Sequence, residues 1–160
     1  MTVHPIPPVF DENSRILLLG SFPSVKSRET AFFYGHKQNR FWKVISAVFD
    51  EDEPKTVPEK KAFLIKNGIA VWDVIASCDI EGSADNTIKN VTPNDLSLIL
   101  NNAKIERIFV NGGTAARFYK RYIEPAIGIS AITLPSTSPA NAAWSVERLT
   151  NYWKNKIKEI

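Results

Sequence analysis

Cysteine is almost missing from this chain: Cys78 stands alone, so no disulfide can close within one molecule and no thiolate cluster can hold a metal. Histidine is nearly as scarce, with His4 and His36 only, which argues against a zinc site and leads us to expect no metal. Long apolar runs are lacking too. Ile16-Leu17-Leu18-Leu19 is among the longest, far below the roughly 20 residues that a membrane-spanning helix needs. The opening Met1-Thr2-Val3-His4-Pro5 has no signal-peptide pattern, so a soluble, cytoplasmic protein without a membrane partner is expected. Neither the phosphate-cradling Gly-x-x-x-x-Gly-Lys pattern nor the dinucleotide Gly-x-Gly-x-x-Gly pattern occurs, and no cofactor is expected. Neither sign of charge dominates: 20 Lys and Arg oppose 17 Asp and Glu, for a net +3 and a pI near 9.0. That excess permits phosphate binding without requiring it.

What is present fits one core. With 160 residues and 44% hydrophobic content, the chain suffices for a single domain over residues 1–160, expected as a monomer. Arg15 to Leu19 reads as a buried strand stopped by Gly20 and Pro23, and Ile69 to Ile75, Arg107 to Val110 and Ile129 to Leu134 read as three more. Between them, helical spacing marks Phe41, Trp42, Ile45, Val48 and Phe49, then a helix opened by Pro58 and closed at Asn67-Gly68. Further helices are expected from Thr92-Pro93-Asn94-Asp95 through Leu100, from Ala115 through Tyr122, and across Val146, Leu149, Trp153 and Ile157. Ser77 to Asn90 has no period and is expected to be a long loop. The alternation predicts a three-layer α/β/α sandwich around a mostly parallel four-stranded sheet, with polar loops gathered at the carboxyl ends of the strands.

Three such loops carry chemistry. Gly20 to Asn39 contains Phe32-Phe33-Tyr34-Gly35-His36-Lys37-Gln38-Asn39, where aromatics, an imidazole and amides crowd ahead of Arg40-Phe41-Trp42. That mixture suits an unstacked nucleobase, and it equally suits a packed loop leading into a helix. Pro135-Ser136-Thr137-Ser138-Pro139-Ala140-Asn141 is a second rigid loop, offering hydroxyls and amides to phosphates or serving as an ordinary turn. Asn111-Gly112-Gly113-Thr114 either presents backbone amides to a ligand or simply packs closely at a strand-to-helix turn. Ser83, Asp85 and Asn86 in the middle loop contact substrate or solvent.

Gly20-Ser21-Phe22-Pro23-Ser24 resembles the first motif of the uracil-DNA glycosylase superfamily, and Ser136-Thr137-Ser138-Pro139-Ala140-Asn141 resembles its second. His36-Lys37-Gln38-Asn39-Arg40-Phe41-Trp42-Lys43-Val44-Ile45 is similar to the His-Pro-Ala-Asn-Arg-Phe-Trp-Lys-Val-Ile stretch of mismatch-specific uracil-DNA glycosylases. Two departures stand out: Phe22 replaces the usual water-orienting aspartate or asparagine, and Ser136 replaces a histidine. The combination best resembles the hypoxanthine-DNA glycosylase branch, in which the asparagine matching Asn39 is catalytic. The resemblance implies a glycosylase-like fold and excision of deaminated bases from DNA, hypoxanthine foremost.

It also implies roles residue by residue. Phe22, Phe33, Tyr34 and Gly112 would bind the base. Gly20, Ser21, Pro23 and Ser24, then His36 and Arg40, then Ser136, Thr137, Ser138, Pro139, Ala140 and Asn141 would contact DNA. Asn39 is also well suited to cap the helix starting at Arg40, and its carbonyl is the group expected to hold water below C1′. Ala140 is a poor wedge, so extrusion should be easiest from single strands or mismatches. Two rivals remain: uracil excision by the same fold, and a nucleic-acid-binding module whose catalytic site has lapsed, motivated by Phe22 and Ser136.

Overall fold

The computed structural model describes residues 1–158. Its framework is a four-stranded sheet of β2 (Ile16–Gly20), β3 (Ile69–Asp73), β6 (Arg107–Asn111) and β7 (Ile132–Leu134), ordered β3-β2-β6-β7. Every pairing in it is parallel. All five residues of β2 are buried, as expected for a central strand covered on both faces. Successive side chains point to opposite sides, so Ile16 and Leu18 enter one apolar cluster and Leu17 and Leu19 the other.

The first cluster is roofed by α2 (Phe41–Val48), α3 (Val57–Lys66) and α7 (Val146–Lys158), which contribute Phe41, Ile45, Leu64, Leu149 and Trp153. The second is covered by α4 (Ser97–Leu100) and α5 (Gly113–Phe118), whose helical path continues through a wide turn, Tyr119–Ile123, into α6 (Glu124–Ile127). Helices therefore flank the sheet on both sides, as the α/β/α expectation required. Helix starts follow local chemistry. The Thr56 hydroxyl accepts from Glu59 N at 3.2 Å at the head of α3, and the Ser24 hydroxyl accepts from Ser27 N at 3.1 Å at the head of α1 (Val25–Thr30).

Five details differ from expectation. Ser77 to Asn90 is not one loop, because β4 (Ile75–Asp79) and β5 (Lys89–Pro93) pair antiparallel and β1 (Thr2–Val3) joins them in a second, small sheet. The β4–β5 pairing is irregular in register and β5 is largely exposed, so no apolar alternation announces it. The strand placed over Ile69 to Ile75 breaks after Asp73, where Val74 N donates to Gly20 O at 2.8 Å and Ile75 N to Ser21 O at 3.1 Å. Thr92 and Pro93 belong to β5, which delays the helix to Ser97, and β7 begins only at Ile132. Helix α1 has no apolar stripe to reveal it, and its one fully buried residue is Ser27.

Leu18 lies 1% exposed at the middle of the central strand. Leu18→Ala is expected to lower the unfolding free energy by about 3 kcal/mol in a urea titration.

Candidate active site

Because the strands run parallel, their carboxyl ends deliver polar residues to one rim. Gly20 ends β2 directly abreast of Asp73 at the end of β3, and Asn111 ends β6 abreast of Leu134, after which the second proline loop begins. Between these ends lies a cleft of about 290 Å³. It draws on Gly20, Ser21, Phe22, Pro23 and Ser24 from the first motif, on Phe33, Tyr34, His36 and Asn39 from the aromatic loop, and on Ser136, Thr137, Ser138, Pro139 and Ala140 from the second. Gly112 and Asn141 instead line an adjoining cavity of about 520 Å³.

A hydrogen-bonded relay fixes the centre. Thr137 is wholly buried, and its hydroxyl accepts from Asn111 Nδ2 at 3.0 Å and donates to Asn39 Oδ1 at 2.9 Å. Asn111 Oδ1 accepts in turn from Thr137 N at 3.1 Å. Asn39 Oδ1 accepts a second hydrogen bond, from Phe41 N at 2.9 Å, so the side chain both begins α2 and borders the cleft. A backbone N–H can only donate, so the amide orientation is determined: oxygen toward the helix and Thr137. The carbonyl expected to hold water is thus occupied. The Asn39 amino group is the part that no acceptor takes among the described residues.

Arg40 holds the second loop from behind. Its Nη2 donates to Ser138 O at 2.8 Å and to Asn141 O at 3.0 Å, its Nε to Thr137 O at 3.3 Å, and its Nη1 to Trp144 O. Arg40 N also donates to Thr137 O at 3.0 Å. The guanidinium expected to contact DNA is largely spent on carbonyls. Gly112 is corrected likewise: its amide donates to Leu134 O at 2.8 Å, its φ is +94°, and a Cβ there would approach Ser136 Cβ to 2.9 Å. Close packing, rather than a free amide for a base, explains this glycine.

The aromatic wall is partly core. Phe33 is 2% exposed, and its carbonyl accepts from Trp42 Nε1 at 3.1 Å. Tyr34 stacks on Phe41 at 3.9 Å between ring centroids and takes a left-handed φ of 54°, uncommon for a bulky residue. Its hydroxyl accepts from Asn111 Nδ2 at 3.3 Å. Burial and the nearby Asp73 carboxylate push the Tyr34 phenol well above its ordinary pKa, so it stays protonated. Phe22 is 9% exposed, with its ring edge-on to His4. His36 is exposed at the rim, its Nδ1 accepting from Gln38 N at 3.1 Å. In the second loop Ser136 Oγ accepts from Ser138 N at 3.0 Å, and Asn141 Nδ2 donates to Ser136 O at 3.0 Å.

Asp73 went unnoticed in the sequence because it ends a strand of apolar residues. It lines the cleft at 4% exposure, hydrogen-bonded to His4 at 2.7 Å. Asn111 was noticed only as part of a turn. Ser83 and Asp85 reach the cleft mouth, where Ser83 Oγ accepts from Val25 N at 2.9 Å and burial raises the Asp85 pKa.

The sequence model of the family described as the uracil DNA glycosylase superfamily matches residues 7–157. The chain belongs to the uracil DNA glycosylase superfamily. A protein named hypoxanthine DNA glycosylase from Methanosarcina acetivorans is 34% identical over 143 residues, covering 89% of this chain and 90% of that one. A second of that name, from Methanosarcina barkeri, is 32% identical over 153 residues, covering 95% and 96%. The solution NMR structure of a candidate uracil DNA glycosylase from Methanosarcina acetivorans superposes with a TM-score of 0.78 at 33% identity, covering 92% of this chain and 91% of that one.

Two outcomes follow for this superfamily member. Thr137→Val removes a buried hydroxyl from between two half-buried amides, and a loss of about 1–3 kcal/mol is expected in chemical denaturation. Tyr119, whose phenol donates to Ile129 O, is pushed up to about 12 by burial and by Glu124, and Tyr34 is raised as well. The native state then keeps protons that the unfolded chain releases above about pH 10, so stability falls as pH rises through that region. In an ultraviolet titration the ionisation of these two phenols should coincide with alkaline unfolding, assigned by Tyr34→Phe and Tyr119→Phe.

Proposed function

We propose that the protein is a monofunctional DNA glycosylase that releases hypoxanthine from deaminated DNA. The observation that carries this is Asn39, which borders a cleft framed by both proline-bearing loops, its amide held by two hydrogen bonds to the oxygen while its amino group has no acceptor among the described residues. The names of the two Methanosarcina relatives support hypoxanthine as the base.

The reaction breaks the C1′–N bond, with the electron pair leaving on the base and positive charge developing on the sugar. Water then adds to C1′ and loses a proton, leaving an abasic site. A neutral amide is not an effective base, but it can position the water. With Oδ1 engaged, Asn39 Nδ2 donates to one lone pair of that water and leaves the other directed at C1′, while DNA phosphates favour the sugar cation. The flipped base lies against the Tyr34 ring on the face that Phe41 leaves uncovered, with Phe22 paving the pocket; such stacking contributes about 1–3 kcal/mol. Ser24, His36, Ser136 and Ser138 supply rim contacts to phosphates. No lysine lines the cleft, which supports hydrolysis without a Schiff base.

The test incubates purified protein with oligonucleotides carrying hypoxanthine, uracil or xanthine, in single and double strands, and scores alkali-labile breaks. Hypoxanthine release is expected, fastest from single strands or mismatches, because Ala140 at the second loop is too small to wedge a base pair apart. Asn39→Ala should lower the rate by on the order of 10²-fold while costing about 1 kcal/mol of stability through the lost cap. DNA binding with no base released would indicate a lapsed site instead.

A further inference from the structure

The base pocket has one wall that none of the recognised motifs supplies. His4 precedes the main sheet and is tied to the small one through its backbone, His4 N donating to Ala76 O at 2.7 Å. Its ring reaches under the cleft between Phe22 and Phe33, at centroid distances of 5.9 and 6.2 Å, and meets Asp73. The two side chains are 3% and 6% exposed.

The hydrogen bonds decide where the proton sits. Ile6 N donates to His4 Nδ1 at 3.1 Å, so Nδ1 carries no hydrogen. A singly protonated ring must then hold its proton on Nε2, and Nε2 donates to Asp73 Oδ2 at 2.7 Å. Asp73 Oδ1 is left over. It stands beside Gly20 so closely that a Cβ at that position would lie 2.4 Å from it, with the Tyr34 hydroxyl 3.0 Å from the same point. No donor reaches Oδ1 among the described residues, although its side chain is more than nine-tenths buried and borders the cleft. A carboxylate oxygen that opens into the cleft without a protein donor is an acceptor ready for a ligand N–H.

We propose that His4 is a positioning residue that locks Asp73 as a hydrogen-bond acceptor in the cleft, and that this acceptor selects bases carrying a ring N–H beside a carbonyl. Deamination creates that group: hypoxanthine has N1–H next to C6=O, whereas adenine has a bare N1 whose lone pair a carboxylate repels. Guanine and thymine share the N–H, so the acceptor itself rejects adenine and cytosine; within a duplex, guanine and thymine are held in their own base pairs, whereas hypoxanthine left opposite thymine is mispaired and easier to extrude. This inference rests on the base-excision reading above and adds the feature by which the cleft recognises damage.

The lock makes an inverting prediction. In Asp73→Asn the His4 Nε2–H requires the amide carbonyl, so the amino group turns into the cleft and the acceptor becomes a donor. The experiment measures excision of hypoxanthine and of unsubstituted purine, which has a bare N1, from otherwise identical oligonucleotides. The hypoxanthine-to-purine rate ratio should fall by on the order of a hundredfold in Asp73→Asn, as expected when a site's hydrogen-bond partner no longer matches. Adding His4→Ala frees the amide to rotate and should restore at least a tenth of the lost ratio, whereas a merely structural His4 would give no recovery. The ratio does not depend on how much of a preparation is folded. An unchanged ratio in Asp73→Asn, or no recovery in the double variant, overturns the inference while wild-type release of hypoxanthine keeps the glycosylase reading. Wild-type protein that releases neither base overturns both.

Discussion

One buried hydroxyl joins the halves of the cleft. Thr137 belongs to the second loop, Asn111 to the end of β6 and Asn39 to the start of α2, and among the described residues the Thr137 Oγ1 atom alone is hydrogen-bonded to both amides. Without it, the Asn39 side chain would be held by the single hydrogen bond from Phe41 N. With it, the orientation of the amide is decided before any substrate arrives, which is what the proposed role of Asn39 requires of a residue that can neither take nor give a proton readily. The departure at Phe22 is intelligible in these terms. On the proposed reading, the water-orienting aspartate or asparagine of the first motif gives way to an amide from the aromatic loop, which depends on its supports for direction.

Arg40 and the relay divide the labour at adjacent positions. The arginine's donors converge on carbonyls of the second loop, while the backbone that follows enters α2, whose Phe41 ring supports Tyr34. A single stretch, Asn39-Arg40-Phe41, therefore orients an amide, anchors a distant loop and backs an aromatic wall. That density explains how so short a motif can identify the family: each of its residues has a partner elsewhere in the chain that a replacement would strand.

Much of this was legible beforehand, for definite reasons. The parallel strands announced themselves as short apolar runs because both faces of the sheet are covered, and the loops at their carboxyl ends stood out by contrast. The small sheet was hidden because β4 and β5 are irregularly paired and half-solvated, so neither carries a period. Phe33 could be placed in the aromatic loop with core packing and base binding as rival roles, since spacing does not say which ring faces inward. The hold of Arg40 on the second loop was not legible, because nothing in its neighbourhood reveals carbonyls about 100 positions away. Asp73 and His4 were invisible singly: the meaning of each lies in a contact across 69 positions.

The guanidinium clasp on the second loop has a mechanical corollary. A segment already fastened at four carbonyls has little freedom left to mould itself around a helix of DNA. The bending must then be done by the nucleic acid, whose willingness to kink varies with sequence and with the soundness of its stacking. Such a protein would survey the genome as a stiff gauge does, registering places where the duplex yields.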